Sequence, residues 1–402
     1  MPMKTVLFVT YGSGHVRMVV PVARALVDSG LARPLVLALT TAAPVVRAAG
    51  LDMIQFKDFV TDADSPAMAY GRRLLADLKG PVSDPEESIA YLGLCYAELV
   101  NDMGADEAER LYQREGRQAF LPLKTLERMV RNIAPTLVVA TNSPRAERAA
   151  ITAARTLGLP SVCMVDLFCL DEVKWIGHAD YADQVCVLNE SVKQFLVAAG
   201  RRQEQIVTSG NPAFDTLGDA AHAVIGRHLR AERGWTGKYV LLWPTQVEPA
   251  YHPFNGSRGD VDLPARALSS VIHWVLSRND CVLCVRPRAG EALPAVPSDA
   301  RIVFAGQETS LPVLLQAVDM VVTLNSTVGL EGHLAGTALV QVLGSVFDDA
   351  MPLKRYGIAD EAVSEAEIGA ALSRLVHQRR RQPEQLHANA TGRVLDVLRG
   401  FL

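Results

Sequence analysis

The chain is expected to be an α/β protein of two consecutive domains, each built on a parallel β-sheet. Three observations lead there. Its 402 residues exceed what one core ordinarily holds and suit two. Short apolar runs alternate throughout with helix-length amphipathic segments, the pattern of βαβ units whose strands are covered on both faces. The turn Gly210-Asn211-Pro212 falls after the midpoint and before a weakly periodic stretch, which places a domain junction there.

The elements follow in order. Residues 5–9 read as a first strand and residues 19–29 as a helix, with Gly30 at its expected stop. Residues 35–39 form a second strand. The stretch 62–121 is helix-rich and more charged, punctuated at Gly80-Pro81 and Asp84-Pro85, and is expected to line a binding cleft. Strands resume at 137–140, 161–165, 184–188 and 205–208. In the second half they fall at 239–243, 281–285, 301–304, 320–324 and 339–342. Ser310 suits the N-cap of a helix carrying Leu311, Leu314, Leu315 and Val318 on one stripe. Ser364 and Glu367 form a capping box ahead of Ile368, Leu372 and Leu375. A last helix is expected over 383–402, opening on Pro383. The expected domains are 1–208 and 209–382, with the 383–402 helix free to pack back on the first.

Composition narrows the function classes. A formal net charge of -4 argues against a nucleic-acid partner, which would meet a basic face. The apolar runs are strand-sized and too short for a bilayer. Met1-Pro2-Met3-Lys4 leads into a strand without the parts of a signal peptide. The expected location is cytoplasmic, with peripheral contact at the inner face of a membrane kept open. Arg379-Arg380-Arg381 is the segment that would touch anionic lipid, although a solvated helix end is the preferred reading. The six cysteines lie scattered in apolar stretches. Cys281 and Cys284, three apart in a strand, point to opposite faces and have no second pair nearby. Buried free thiols and no metal are expected.

In parallel sheets ligands sit at the carboxyl ends of strands, so the loops there carry the chemistry. In Tyr11-Gly12-Ser13-Gly14-His15 the glycines permit a tight turn and close approach to a ligand. The third glycine of a dinucleotide fingerprint is missing, and Leu39-Thr40-Thr41-Ala42 offers no acid for a ribose. His15 is a candidate general base, balanced against a histidine that only bonds a carbonyl. After residues 137–140, Arg145 and Arg148 suit an anionic group, with a solvated first helical turn preferred. Asp166, after the strand at 161–165, is a candidate base or a loop hydrogen-bonder, and Asp171 or Glu172 could exchange roles with it. Thr245 and Gln246 are placed to bond a phosphate or a base edge, and Arg286 and Arg288 to flank an anion, one of them being surface charge. The strongest loop is Asn325-Ser326-Thr327-Val328-Gly329-Leu330-Glu331. Small hydroxyl residues at a helix start leave N–H groups for an anion, and Glu331 can accept from ribose hydroxyls.

On these residues the chain resembles the GT-B superfamily of nucleotide-sugar glycosyltransferases. Within it the likeness is to bacterial surface-polysaccharide and capsule transferases and to UDP-N-acetylglucosamine 2-epimerases. Gly12-Ser13-Gly14-His15 is similar to their N-terminal glycine loop, and Gly210-Asn211-Pro212-Ala213-Phe214-Asp215 to the segment entering the second domain. Asn325 to Gly329 resembles the donor-phosphate loop, and Glu331 the ribose-binding glutamate of the transferase that completes lipid II. The resemblance implies two Rossmann-like domains facing a central cleft, with the donor on the C-terminal side and the acceptor on the N-terminal side. It implies catalysis by His15 and Asp166 and donor binding by Gly14, Gln246, Arg286, Asn325, Ser326, Thr327, Gly329 and Glu331. It also implies no metal and no cofactor, the nucleotide sugar being substrate. The implied activity is transfer to a glycan, lipid-linked or protein acceptor in bacterial surface-glycan synthesis. An epimerase-like isomerase or hydrolase and a non-catalytic sugar-nucleotide binder are the alternatives. The chain departs from the pattern in three places. Arg286-Pro287-Arg288-Ala289 stands where capsule-type relatives have Arg-Pro-His-Pro. Gly332 follows Glu331 where epimerases show adjacent glutamates, and the proline expected soon after the histidine lies at Pro21.

Overall fold

The computed structural model describes residues 3–78, 82, 84–252, 255–288, 291–378 and 389–402. It divides into two compact units, one of Met1–Ala213 with Asn389–Leu402 and one of Phe214–Ala388.

The first unit holds a seven-stranded sheet of β1 (Thr5–Thr10), β2 (Arg33–Ala38), β3 (Met53–Ile54), β4 (Leu137–Thr141), β5 (Ser161–Met164), β6 (Gln184–Val187) and β7 (Ile206–Thr208). Their order is β3-β2-β1-β4-β5-β6-β7, every pair parallel. The central strands are continuous apolar runs because helices cover both faces. Val6 and Phe8 of β1 pack with Val19, Val22 and Leu26 of the helix Gly14–Asp28. Strand order reverses between β1 and β4, which opens a crevice beyond their carboxyl ends.

That first helix starts at Gly14, earlier than the expected residue 19, because Ser13 turns the chain directly off the glycine loop with φ 61° and ψ -129°. It stops at Ser29, and Gly30 follows in the left-handed region as expected. In the helix-rich stretch, Asp84 caps the helix Pro85–Met103 by accepting from the Glu87 amide. This helix lies hard against Ser65–Ala76. A Cβ at Gly93 would collide with the Ala67 carbonyl oxygen, and one at Gly71 with that of Ile89. The punctuation expected at Gly80-Pro81 lies outside the described residues. Arg201 is buried and donates to the carbonyls of Ile176, His178 and Ala182, pinning the segment between β5 and β6.

The second unit holds β8 (Tyr239–Pro244), β9 (Cys281–Arg286), β10 (Ile302–Phe304), β11 (Met320–Thr323), β12 (Ala338–Val342) and β13 (Glu361–Val363). Their order is β10-β9-β8-β11-β12-β13, again all parallel, with the reversal between β8 and β11. Leu241, Trp243, Leu283 and Val322 form its core with Val271 and Leu372. β3 and β13 were not expected: each is a very short outermost strand without a readable period. Ser310 does precede the helix Leu311–Ala317, but its side chain makes no capping bond, and Val318 is already extended. The Ser364–Glu367 capping box forms in both directions.

The helix Ala390–Arg399 returns to the first unit, where Val394 and Leu398 join the core around β1. The expected helix start at Pro383 and the Arg379-Arg380-Arg381 run lie outside the described residues. All six cysteines are buried and free. Among the described residues no helix is long and apolar enough to cross a membrane.

Two stability predictions follow from the helix-rich stretch. Gly93→Ala forces the two helices apart and should destabilise by about 2 kcal/mol in urea unfolding, the usual cost of overpacking. Buried Glu87 accepts from the Lys57 amide, and burial pushes its carboxyl up from 4.5 to about 7. A carboxyl raised in the folded state holds a proton that the unfolded chain has lost. Its ionisation therefore removes stability as pH rises from about 4.5 towards 7 and beyond. Glu87→Gln should thus gain on wild type by roughly 3 kcal/mol at pH 8 and by little at pH 4, as read from unfolding at the two pH values.

Candidate functional site

In the first unit the site forms where strand order reverses. The glycine loop after β1 is tight: a Cβ at Gly12 would collide with Thr41 Oγ1. Gly14 opens the following helix and His15 is its second residue. His15 Nδ1 lies 2.5 Å from Thr141 Oγ1 and 3.5 Å from Glu147 Oε2. Its Nε2 lies 4.0 Å from Asp166 Oδ2. The end of β4, the helix that follows it and the loop after β5 therefore meet on one imidazole.

Glu147 was not singled out from the sequence, yet it holds this arrangement together. Its side chain is fully buried. Oε1 accepts from the Tyr11 amide at 2.7 Å and Oε2 from the Ser143 amide at 2.7 Å. One carboxylate so fastens the β1 and β4 loops to each other. Its sequence signal was an acid in the first turn of a helix after a strand, where the positive end of the helix dipole favours it. Nδ1 therefore faces the Glu147 carboxylate and a hydroxyl that can donate or accept, and Nε2 faces the Asp166 carboxylate.

The loop bond considered for Asp166 is present. Its Oδ1 accepts from the Leu167 amide, a loop bond, while Oδ2 faces His15. Beside it Glu172 is pushed up to about 7, chiefly by burial and further by Asp166 and Asp171, with His15 opposing. Arg145 and Arg148 are half-buried, each with an aromatic partner. Their guanidinium groups lie over the rings of Tyr11 and Trp175, at 4.5 and 4.8 Å from the centroids. Planar guanidinium is favoured on an aromatic face, and long-range packing supplied the faces.

In the second unit the corresponding edge carries the loops after β8, β9 and β11. Gln246 Oε1 accepts from the Asn325 amide at 2.8 Å, and its Nε2 donates to the Pro244 carbonyl. Gln246, expected to touch a ligand, thus has both ends of its amide engaged within the protein and shapes the Asn325 loop. Thr245 is likewise buried, its hydroxyl bonded to the Glu291 carboxylate. Asn325 Nδ2 donates to Ser345 Oγ at 2.7 Å, and Ser345 in turn to buried Glu248 at 2.7 Å. Neither Ser345 nor Glu248 stood out in the sequence, since they act from other loops.

Ser326 caps the helix Thr327–Leu334. Its Oγ accepts from the Val328 amide and its carbonyl from that of Gly329. Two of the amides expected to face an anion are thus engaged by Ser326. Thr327 stands exposed at the helix start. Gly329 has a packing role besides, since a Cβ would lie 2.8 Å from Thr323 Cγ2 of β11. Arg286, half-buried at the end of β9, donates to the carbonyls of Gly306 and Thr309. Burial pulls it below the usual arginine range, while Cys284, Glu308 and Glu331 act in the other direction. Arg286 and Glu331 are therefore within electrostatic reach of one another. This edge can offer a cation, a hydroxyl-bearing helix start and a carboxylate together.

Among the described residues no group of histidine, cysteine or acidic side chains could hold a metal ion. A groove of about 630 Å³ lies at the opposite edge of the first sheet, lined by Arg155, Ser161, Tyr181 and Gln205, away from His15.

No protein-family profile matches the chain, and no curated protein matches it. Solved structures do. S. aureus MnaA with UDP is 11% identical, covering 99% of this chain and 97% of that one, with a TM-score of 0.60. The UDP-GlcNAc 2-epimerase of Neisseria meningitidis bound to UDP-GlcNAc is 10% identical over 98% and 99%, with a TM-score of 0.59. CalG4, the calicheamicin glycosyltransferase, is 17% identical over 100% and 99%, with a TM-score of 0.60. At such identities the likeness is one of fold: two Rossmann-like domains of the GT-B type, shared by sugar-nucleotide epimerases and glycosyltransferases.

Proposed function

We propose that the protein is a glycosyltransferase that moves a sugar from a nucleotide-sugar donor to an acceptor hydroxyl. The observation that carries this reading is the setting of His15: Glu147 and Thr141 on Nδ1, and Nε2 turned towards Asp166. In this mechanism the acceptor hydroxyl gives its proton to Nε2 as its oxygen attacks the anomeric carbon. The bond from that carbon to the nucleotide diphosphate breaks, and the diphosphate leaves with the electron pair. Glu147 stabilises the imidazolium that forms, and Asp166 orients the acceptor.

Donor binding is assigned to the second unit. The helix start at Ser326 and Thr327 brings its positive end to the diphosphate, and Arg286 adds a full charge. Glu331 accepts from the ribose hydroxyls. Asn325 and Gly329 shape this loop, and Gly14 is assigned a close backbone approach to the ligand. No metal is assigned, because the helix end and Arg286 supply the positive charge. The fold shared with proteins crystallised with UDP and UDP-GlcNAc supports a nucleotide sugar as ligand. The acceptor would be a glycan, a lipid-linked sugar or a protein, in surface-glycan synthesis on the cytoplasmic side.

A second reading, an isomerase or hydrolase of the 2-epimerase kind, is favoured by one observation. Burial, with the Asp166 and Asp171 charges, pushes the Glu172 carboxyl up to about 7, where it can give or take a proton near neutral pH. Incubation with UDP-N-acetylglucosamine and no acceptor separates the two: a 2-epimer or free N-acetylmannosamine would replace transfer by this chemistry.

Glu331→Ala should weaken sugar-nucleotide binding about tenfold or more, the loss of hydrogen bonds to a charged group, as measured by isothermal titration. Unchanged affinity for every sugar nucleotide tried would remove the donor-site assignment. His15→Ala should slow transfer by roughly 10²–10⁴ in single turnovers while leaving donor affinity as in wild type, the signature of a lost general base.

A further inference from the structure

The Gly210-Asn211-Pro212 turn plays no part in the mechanism above, yet its asparagine reaches the site. Asn211 Nδ2 donates to the Asp166 carbonyl at 2.9 Å. On the other side of the same residue, Asn142 Oδ1 accepts from the Asp166 amide at 3.1 Å. Both asparagines are buried, 3% and 2% exposed. They arrive from the loops after β7 and β4, which lie on either side of β5 in the sheet. The Asp166 backbone is therefore gripped at both its N–H and its C=O. With Oδ1 bonded to the Leu167 amide, the carboxylate cannot rotate freely, and Oδ2 is the oxygen turned to His15.

The Asn211 jaw is itself anchored. Ser209 and Gly210 both donate their amides to the Val187 carbonyl at the end of β6. Arg393 Nε, on the returning C-terminal helix, donates to the Ser209 carbonyl at 2.7 Å. Asn211 Oδ1 accepts from the Ala213 amide, which orients the side-chain amide so that its N–H₂ faces Asp166.

We infer that Asn211 is a positioning residue which, opposite Asn142, holds Asp166 so that its carboxylate faces His15. The role assigned to that pair rests on the proposed transfer chemistry; the positioning itself does not. Loosening the clamp leaves the Asp166 carbonyl without its partner and frees the loop to shift, and displacements near 1 Å at a reacting group can cost about 10²-fold in rate.

The discriminating variant is Asn211→Asp. It keeps the acceptor for the Ala213 amide, and with it the turn, but replaces the donor to Asp166 by a repelling oxygen. The readout is the ¹⁵N spectrum of the histidine rings of the full chain without ligand, with His15 identified from its loss in His15→Gln. The groups facing this ring are Thr141, Glu147, Asp166 and, through electrostatics, Glu172. Asn211→Asp should move the His15 ring signals from their wild-type positions, and should move them less in the Asp166→Ala background, where no carboxylate remains to be displaced; an equal shift in both backgrounds would mean that the new charge acts on the ring directly and would overturn the proposal. Asn142→Ala, which takes away the other jaw, should do the same and serves if Asn211→Asp does not fold. His15 signals that stay at wild-type positions in the clamp variants, or in Asp166→Ala, would overturn the proposal. A His15→Ala protein with full transferase activity would instead remove the functional reading and leave the clamp standing.

Discussion

Every strand in both sheets runs parallel to its neighbours, so every strand of a sheet ends on the same edge. This constraint organises the protein. Parallel strands must be covered on both faces, which turns them into apolar runs and consigns polar chemistry to the loops beyond their ends. Where strand order reverses, the helices depart to opposite faces and leave the loops accessible. His15, Thr141 and Asp166 stand at one such edge, and Arg286, Asn325 and Glu331 at the other.

Both edges use buried carboxylates as fasteners. Glu147 joins the loops after β1 and β4 through two backbone amides while facing His15. Glu248 joins the loops after β8 and β12 through Ser345 and the Val346 amide, and so fixes the Asn325 side chain. Burying a carboxylate is costly unless its lone pairs are met, and here backbone amides and a hydroxyl meet them. The outcome is loops whose shape is set before any ligand arrives, which suits a site that works by electrostatic placement. Fold alone does not choose between epimerisation and transfer, since both chemistries occur on this architecture. The proposed transfer rests instead on the residues around His15.

The alternation of apolar runs with amphipathic helices was enough to read two parallel α/β domains and most of their strands. β3 and β13 escaped because strands of a few residues at a sheet edge carry no period. The loops bearing His15, Asp166 and Asn325 were found because they follow strands, a local property of the sequence. Glu147, Glu248 and Ser345 were not, because each matters through a partner far along the chain: 136 residues separate Glu147 from Tyr11, and 97 separate Glu248 from Ser345. The ring partners of Arg145 and Arg148 escaped for the same reason, as nothing near them in sequence announces Tyr11 and Trp175.

The sequence by itself determined the layer architecture and the identity of the loops, because both depend on the spacing of apolar residues, glycines and caps within a few turns of chain. Only the tertiary structure decided what the polar side chains in those loops do. Gln246 and Thr245 turn inward to hold neighbouring loops, Ser326 engages two amides of its own helix, and Asn142 and Asn211 close on Asp166 from strands on either side. Whether a polar group faces a ligand or its own protein is settled by which donors and acceptors lie within 3 Å or so, and packing of the sheets sets that distance.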